Sequence, residues 1–131
     1  MKTLLIALSL VVSIAAASAK ENFQLIPWKN LAGWMHEKNA KVAIFDANNE
    51  ATRKADGIIP GATLLPSHKD YPLAVLPVDK SEKVVFYCAN TKCMASHTAA
   101  QRASDAGYSH VYVMSDGIQG WKKAGQETAK P

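Results

Sequence analysis

Apolar residues fall along this chain in short blocks separated by polar, Gly- and Pro-bearing stretches. The block "FQLI" (23–26) predicts a short strand. In "PWKNLAGWMHEK", Trp28, Leu31, Trp34 and Met35 recur at helical spacing, and Pro27 suits the first turn, where a missing N–H costs nothing. "KVAIFDA" (41–47) is a short β-rich run ending in a carboxylate, Asp46. "GIIPGATLLP" (57–66) carries turn signals and then a short strand from Ala62 to Leu65. The connection "SHKDYPLAVLPVDKSEK" holds Pro72 and Pro77, so it predicts irregular chain with at most one helical turn.

"KVVFYC" (83–88) is apolar at successive positions, the mark of a parallel strand buried on both faces. From Cys93 to Ala106 the pattern predicts a helix. Its small-residue stripe, Ala95, Ala99, Ala103 and Ala106, suits close packing on a sheet, and Gly107 is placed as a left-handed cap. "HVYVMS" (110–115) predicts a last strand. Asp116 and Gln119 have capping-box spacing before a final helix through Trp121 to Ala124, which Gly125 stops. Strands alternating with helices imply an α/β domain with a mainly parallel sheet. Ligands bind outside the carboxyl ends of such strands. Asp46 and Cys88 both fall there.

The first residues change the boundaries. "MKTLLIALSLVVSIAAASA" has Lys2, an apolar stretch from Leu4 to Ile14 and an A-x-A site at Ala17–Ala19. This is the pattern of a secretory signal peptide over residues 1–19, leaving a domain over 20–131. Ser9 and Ser13 interrupt the apolar stretch, which is shorter than the ~20 residues that span a bilayer. A periplasmic protein with no membrane attachment after signal removal is therefore expected. The formal net charge of +4 includes Lys2, so the domain's side chains carry 4 − 1 = +3. Only Arg53 and Arg102 are arginines, and no dense basic block is interleaved with aromatics, which argues against nucleic-acid binding. A chain this small is expected to be a monomer.

The chemistry lies in "YCANTKCMASH" (87–97), which holds both cysteines, Cys88 and Cys93. A loop between a strand end and a helix start can turn its amides inward as an anion-binding nest, and the helix N-terminus adds partial positive charge. Both favour a nucleophilic thiolate at Cys88, and Lys92 adds a cation. A buried strand-end cysteine with no chemical role is the bland alternative. Cys93 and His97, four apart, share a face if both are helical. The resulting C-x4-C-x3-H supplies three metal ligands at most, too few for a closed structural zinc site. Cys93 reads equally as a small residue at the helix start and as a redox partner of Cys88.

Three stretches in order resemble the single-domain rhodaneses, the sulfurtransferase family. "VAIFDA" is similar to that family's strand ending in the Asp of "IDVR", and "GIIPGATLLP" resembles "GHIPGAINIP". "VVFYCANTKC…AAQRASDAGYSHVYVMSDGIQGWKKAG" resembles the active-site strand, loop, helix and closing "GG-x-x-x-W-x-x-x-G". The resemblance covers about Leu25 to Gly125. It implies a three-layer α/β/α domain with about five short, mainly parallel strands. It also implies that Cys88 takes a sulfane sulfur from a small anionic donor such as thiosulfate and passes it, as a persulfide, to cyanide or a thiol. The amides of Ala89, Asn90, Thr91, Lys92 and Cys93 would cradle the sulfur, with no metal or organic cofactor.

The sequence departs from the family pattern in three places. Ile58 replaces the usual histidine, Asn48 stands where arginine is usual after the Asp, and "ANTK" lacks the usual loop glycine and arginine. His68 or Lys69 could supply further charge. Phosphatases of the same fold place an arginine six residues after the cysteine, where this chain has Met94. The alternative function is a thiol–disulfide redox or sulfide-sensing protein using Cys88 and Cys93. An inactive binding module is disfavoured, because inactive copies typically lack the cysteine.

Overall fold

The apolar run at 83–88 sits in the middle of the sheet. In the computed structural model, which describes residues 22–131, β4 (Lys83–Tyr87) is the third of five strands. The others are β1 (Gln24–Ile26), β2 (Val42–Asp46), β3 (Thr63–Leu64) and β5 (Val111–Met114), in the order β1-β5-β4-β2-β3. All four pairings between these strands are parallel. The stretch read as a signal peptide, residues 1–19, lies outside the described residues. No helix among the described residues is long and apolar enough to cross a membrane.

The alternation of β4 builds two cores. Val84, Phe86 and Cys88 join one cluster with Phe45, Val113 and the alanines of α3 (Ala95–Asp105). Val85 and Tyr87 join the other, with Leu31 of α1 (Trp28–His36) and Ile118 and Trp121 of α4 (Gly117–Lys123). The result is three layers, α3 on one face and α1 and α4 on the other. Each β4 residue from Val84 to Tyr87 packs into one of these two clusters, and full burial of a large apolar side chain contributes about 1.5–3 kcal/mol. Ala99, Ala100 and Ala103 have no exposed surface and let α3 settle close to the sheet.

The structure differs from the sequence reading at three local points. The chain also forms α2 (Glu50–Asp56), which no periodicity announces because none of its residues is buried. Its cue is a cap, since Asn49 Oδ1 accepts the Thr52 N–H at 2.9 Å. Second, α3 begins at Ala95, so Cys93 and His97 are not neighbours on one helical face. Its far end is as read: Gly107 is left-handed at φ 96, and the Tyr108 and Gly107 amides return to Ala103 and Ser104. Third, Asp116 caps nothing on its own helix. Its Oδ2 accepts the Trp28 N–H at 2.7 Å, tying α4 to the start of α1 instead. The expected irregular connection contains only a 3-10 turn at Leu73–Val75.

Asp46, at the C-terminal end of β2, is fully buried and serves as an anchor. It accepts hydrogen bonds from Tyr87 Oη at 2.5 Å, the Asn48 amide at 2.8 Å and Arg53 Nε at 3.1 Å. Arg53 also donates to the carbonyls of Asp46 and Leu65, both at 2.9 Å, and so ties the ends of β2 and β3 together. The cation here comes from α2, not from position 48. Ile58, apolar where the related pattern has histidine, is buried and exchanges both backbone hydrogen bonds with Ala129.

Burial, reinforced by the Asp46 charge, pushes the Tyr87 phenol well above its ordinary value. The neutral form that donates to Asp46 is thus favoured by folding. Its contribution is complete below the unfolded tyrosine value of about 10 and is lost as pH rises beyond it. Tyr87→Phe leaves the carboxylate and the Ile59 amide each short of a partner. It should cost about 1–3 kcal/mol at neutral pH. Urea denaturation should show that gap, and the gap should narrow as pH rises above about 10.

Candidate active site

Cys88 is the first residue past β4, at the carboxyl edge of the sheet. The chain from β2 leads outward to β3, and the chain from β4 leads the opposite way to β5. The crevice between β2 and β4 is therefore the topological switch point, where parallel sheets place their ligands. The Cys88 side chain faces α3 and has only 1% of its surface exposed.

Three contacts surround its sulfur. Ser96 Oγ lies 3.2 Å away and is itself buried. The Cys93 carbonyl oxygen lies 3.3 Å away and can accept the S–H in the dithiol state. The third is Cys93 Sγ, joined to Cys88 as a disulfide across Cα atoms 6.3 Å apart. A disulfide sulfur carries no proton, so Ser96 is the donor in this state. The first intrahelical bond of α3 runs from Thr98 N to the Met94 carbonyl at 3.1 Å. The amides of Ala95, Ser96 and His97 precede it, leaving the positive end of the helix beside the sulfur.

The loop is held from below and from within. The carbonyls of Cys88 and Ala89 accept the N–H groups of Ile118 and Gln119 at 2.8 and 3.0 Å. Gly117 makes this approach possible. At φ 66 it holds a left-handed conformation, and a Cβ there would lie 2.5 Å from Ala89 C and Asn90 N. Asn90 organises the rest. Its Oδ1 accepts the Lys92 amide at 3.0 Å, its carbonyl accepts the Cys93 amide at 3.2 Å, and its Nδ2 donates to Gln119 Oε1 at 3.3 Å. Two of the five candidate cradle amides, those of Lys92 and Cys93, are thus taken up within the loop. Among the described residues no non-glycine has positive φ, so Thr91 needs no glycine-like conformation.

Thr91 and Lys92 are exposed, and the Lys92 ammonium is free to meet an anion. Lys69 does not join the loop. It lines an open groove of about 700 Å³ along α3 with Phe23, Leu73, Met94, His97 and Arg102. His97 packs edge-on against Phe23, with ring centroids 5.4 Å apart. Sequence reading missed Ser96, Gly117 and the organising role of Asn90. A serine in the first turn of the helix that follows the cysteine is the only signal that pointed to the first.

The sequence matches the family described as Rhodanese-like domain over residues 28–124. The chain belongs to that family. No curated protein matches it. Among solved structures, the rhodanese-like fold is shared with the polysulfide-sulfur transferase homodimer from Wolinella succinogenes. The TM-score is 0.69 at 19% identity, covering 84% of this chain and 80% of that one. A thiosulfate sulfurtransferase from Pseudomonas aeruginosa gives 0.66 at 21% identity over 82% of this chain, which spans only 20% of that much longer protein. A protein of unknown function from Rhodopseudomonas palustris, described as a possible tyrosine phosphatase, gives 0.67 at 22% identity, covering 82% and 85% of the two chains.

Gly117→Ala tests the support beneath this rhodanese-like loop. The left-handed backbone alone should cost about 1–2 kcal/mol, with the clash against Ala89 and Asn90 in addition. Urea denaturation should register a loss of at least that size. Amide hydrogen exchange should rise at Ile118 and Gln119 before it rises in the sheet.

Proposed function

We propose that this protein is a sulfurtransferase that carries a sulfane sulfur on Cys88. The carrying observation is the position of Cys88 itself: at the end of the central strand, beside the Ser96 hydroxyl and the open amides of α3. In the dithiol form the Cys88 thiolate attacks the outer sulfur of a donor such as thiosulfate. The donor S–S bond breaks, sulfite leaves with the bonding pair, and Cys88 becomes a persulfide. Cyanide or a thiol then attacks the terminal sulfur and restores the thiolate, with thiocyanate or a persulfide as product. Both steps are nucleophilic displacements at sulfur, so ping-pong kinetics follow, and neither needs a metal or organic cofactor.

The amides of Ala89, Asn90 and Thr91 are assigned to the transferred sulfur, and Lys92 to attraction of the anionic donor. Because Lys92 is exposed, that attraction should weaken as salt rises. Met94 in place of arginine speaks against phosphate-ester hydrolysis. The leader-like first 19 residues support export to the periplasm, and the size of the chain supports a monomer. The paired sulfurs favour a second reading, a thiol–disulfide protein that cycles between dithiol and disulfide.

The deciding assay is thiosulfate:cyanide sulfur transfer by the pre-reduced protein. Cys88→Ser should form no thiocyanate, while Cys93→Ser should still form it. Activity surviving in Cys88→Ser would sink the sulfurtransferase reading.

A further inference from the structure

The structure points to a second use of the same loop. We propose that Cys93 is a resolving thiol: it discharges the Cys88 persulfide as hydrosulfide, and a dithiol reductant then reopens the resulting disulfide by attacking Cys93. This rests on the Cys88 persulfide proposed above. The chemistry balances without any further reactant. Cys93 thiolate attacks Cys88 Sγ, the inner sulfur of the persulfide. The Sγ–S bond breaks, and the outer sulfur leaves with the electron pair and takes up the proton that Cys93 gave up, so it departs as hydrosulfide. The sulfane sulfur gains two electrons, and the two cysteine sulfurs give them up as they join. In the return step a reductant thiolate bonds to Cys93 Sγ, the Cys88–Cys93 bond breaks, and its electrons pass to Cys88. The reductant's second thiol then releases Cys93 and closes the reductant's own disulfide.

Three observations carry this. First, the loop is built to bring the sulfurs together. The Asn90 turn folds Cys93 back toward Cys88, and the Ile118 and Gln119 bonds hold the other end still. The two sulfurs are paired across Cα atoms 6.3 Å apart, inside the range that disulfides span. Second, the two sulfurs differ in access. Cys88 is 1% exposed, whereas Cys93 is half-buried between exposed Lys92 and Met94. An external thiol therefore meets Cys93 first. Third, Ser96 Oγ lies 3.2 Å from Cys88 Sγ. When the disulfide opens by attack at Cys93, the electron pair arrives at the sulfur that already has a hydroxyl donor. Burial and hydrogen bonding thus give the exchange one direction, and each opening regenerates Cys88 as the thiolate that accepts the next sulfur.

The inference is tested by a single turnover. Fully reduced protein, desalted without oxygen, is mixed with one equivalent of thiosulfate; sulfite, sulfide and intact protein mass are followed. The expected result is one sulfide for each sulfite, with a protein two hydrogens lighter than the dithiol. In Cys93→Ser, and in Cys93→Ala if the serine variant folds poorly, the species heavier by one sulfur should accumulate and sulfide should fail to appear. Sulfite release with a lasting one-sulfur gain in the unaltered protein overturns the role of Cys93 while leaving transfer through Cys88 intact. If thiosulfate releases no sulfite, the donor assignment fails instead. Loading with inorganic polysulfide then decides for Cys93: disulfide formation that Cys93→Ser abolishes supports it, and a stable persulfide in the unaltered protein overturns it. For the return step, oxidised protein treated briefly with glutathione and quenched in acid should carry the mixed disulfide on Cys93. Finding it on Cys88 overturns the proposed direction. Ser96→Ala should slow reopening by about tenfold, the effect of losing one hydrogen bond to a developing charge.

Discussion

The burial of β4 on both faces governs this molecule. A central parallel strand has no solvent side, so each of its residues must find an apolar neighbour in one of two cores. Val84 and Phe86 are claimed by α3, and Val85 and Tyr87 by α1 and α4. The chain that leaves β4 must therefore emerge between two helix starts. At that exit the strand's hydrogen-bond ladder ends and the first-turn amides of α3 and α4 begin. Cys88 occupies the exit. Its backbone is bonded by α4 and its side chain faces α3, so one residue is held from both layers.

The neighbouring strand end shows the opposite use of a polar group. Asp46 sits in register with Tyr87 and reaches the same edge of the sheet, yet its lone pairs are taken by Tyr87, Asn48 and Arg53. A buried carboxylate is tolerated only when paired and hydrogen-bonded. The network that satisfies it also locks the ends of β2 and β3. The edge of the sheet thus divides into an electrostatic anchor at Asp46 and the buried cysteine pair at Cys88. The anchor keeps rigid the frame against which the cysteine loop is placed.

The loop is held in shape by backbone hydrogen bonds and by Asn90, not by long charged side chains. The related pattern's arginine is absent, and the positive charge present at the loop is that of exposed Lys92 and of the α3 helix end. What this loop has in addition is a second sulfur. In the proposed cycle, Cys93 would turn a carrier that waits for an outside acceptor into one that discharges itself, with a reductant needed between turnovers.

The amino-acid pattern alone determined the strands at 23–26, 41–47 and 83–88, the α3 and α4 stretches, the parallel sheet, and Cys88 at a strand end. These are local matters of period and burial, written directly in the order of apolar residues. It was silent on α2, because a helix with no buried face has no hydrophobic period. It misassigned Asp116, because a carboxylate at capping distance from its own helix can be claimed by another helix's amide. The tertiary structure decided what no spacing encodes. Ser96 reaches Cys88 from a different element, Gly117 matters because the Ala89–Asn90 peptide passes against it, and Arg53 comes to Asp46 of β2 from α2. It also brought Cys93 against Cys88, whose five-residue separation allows contact but does not require it. Such contacts depend on how separate segments meet in space, and only the packed chain specifies that.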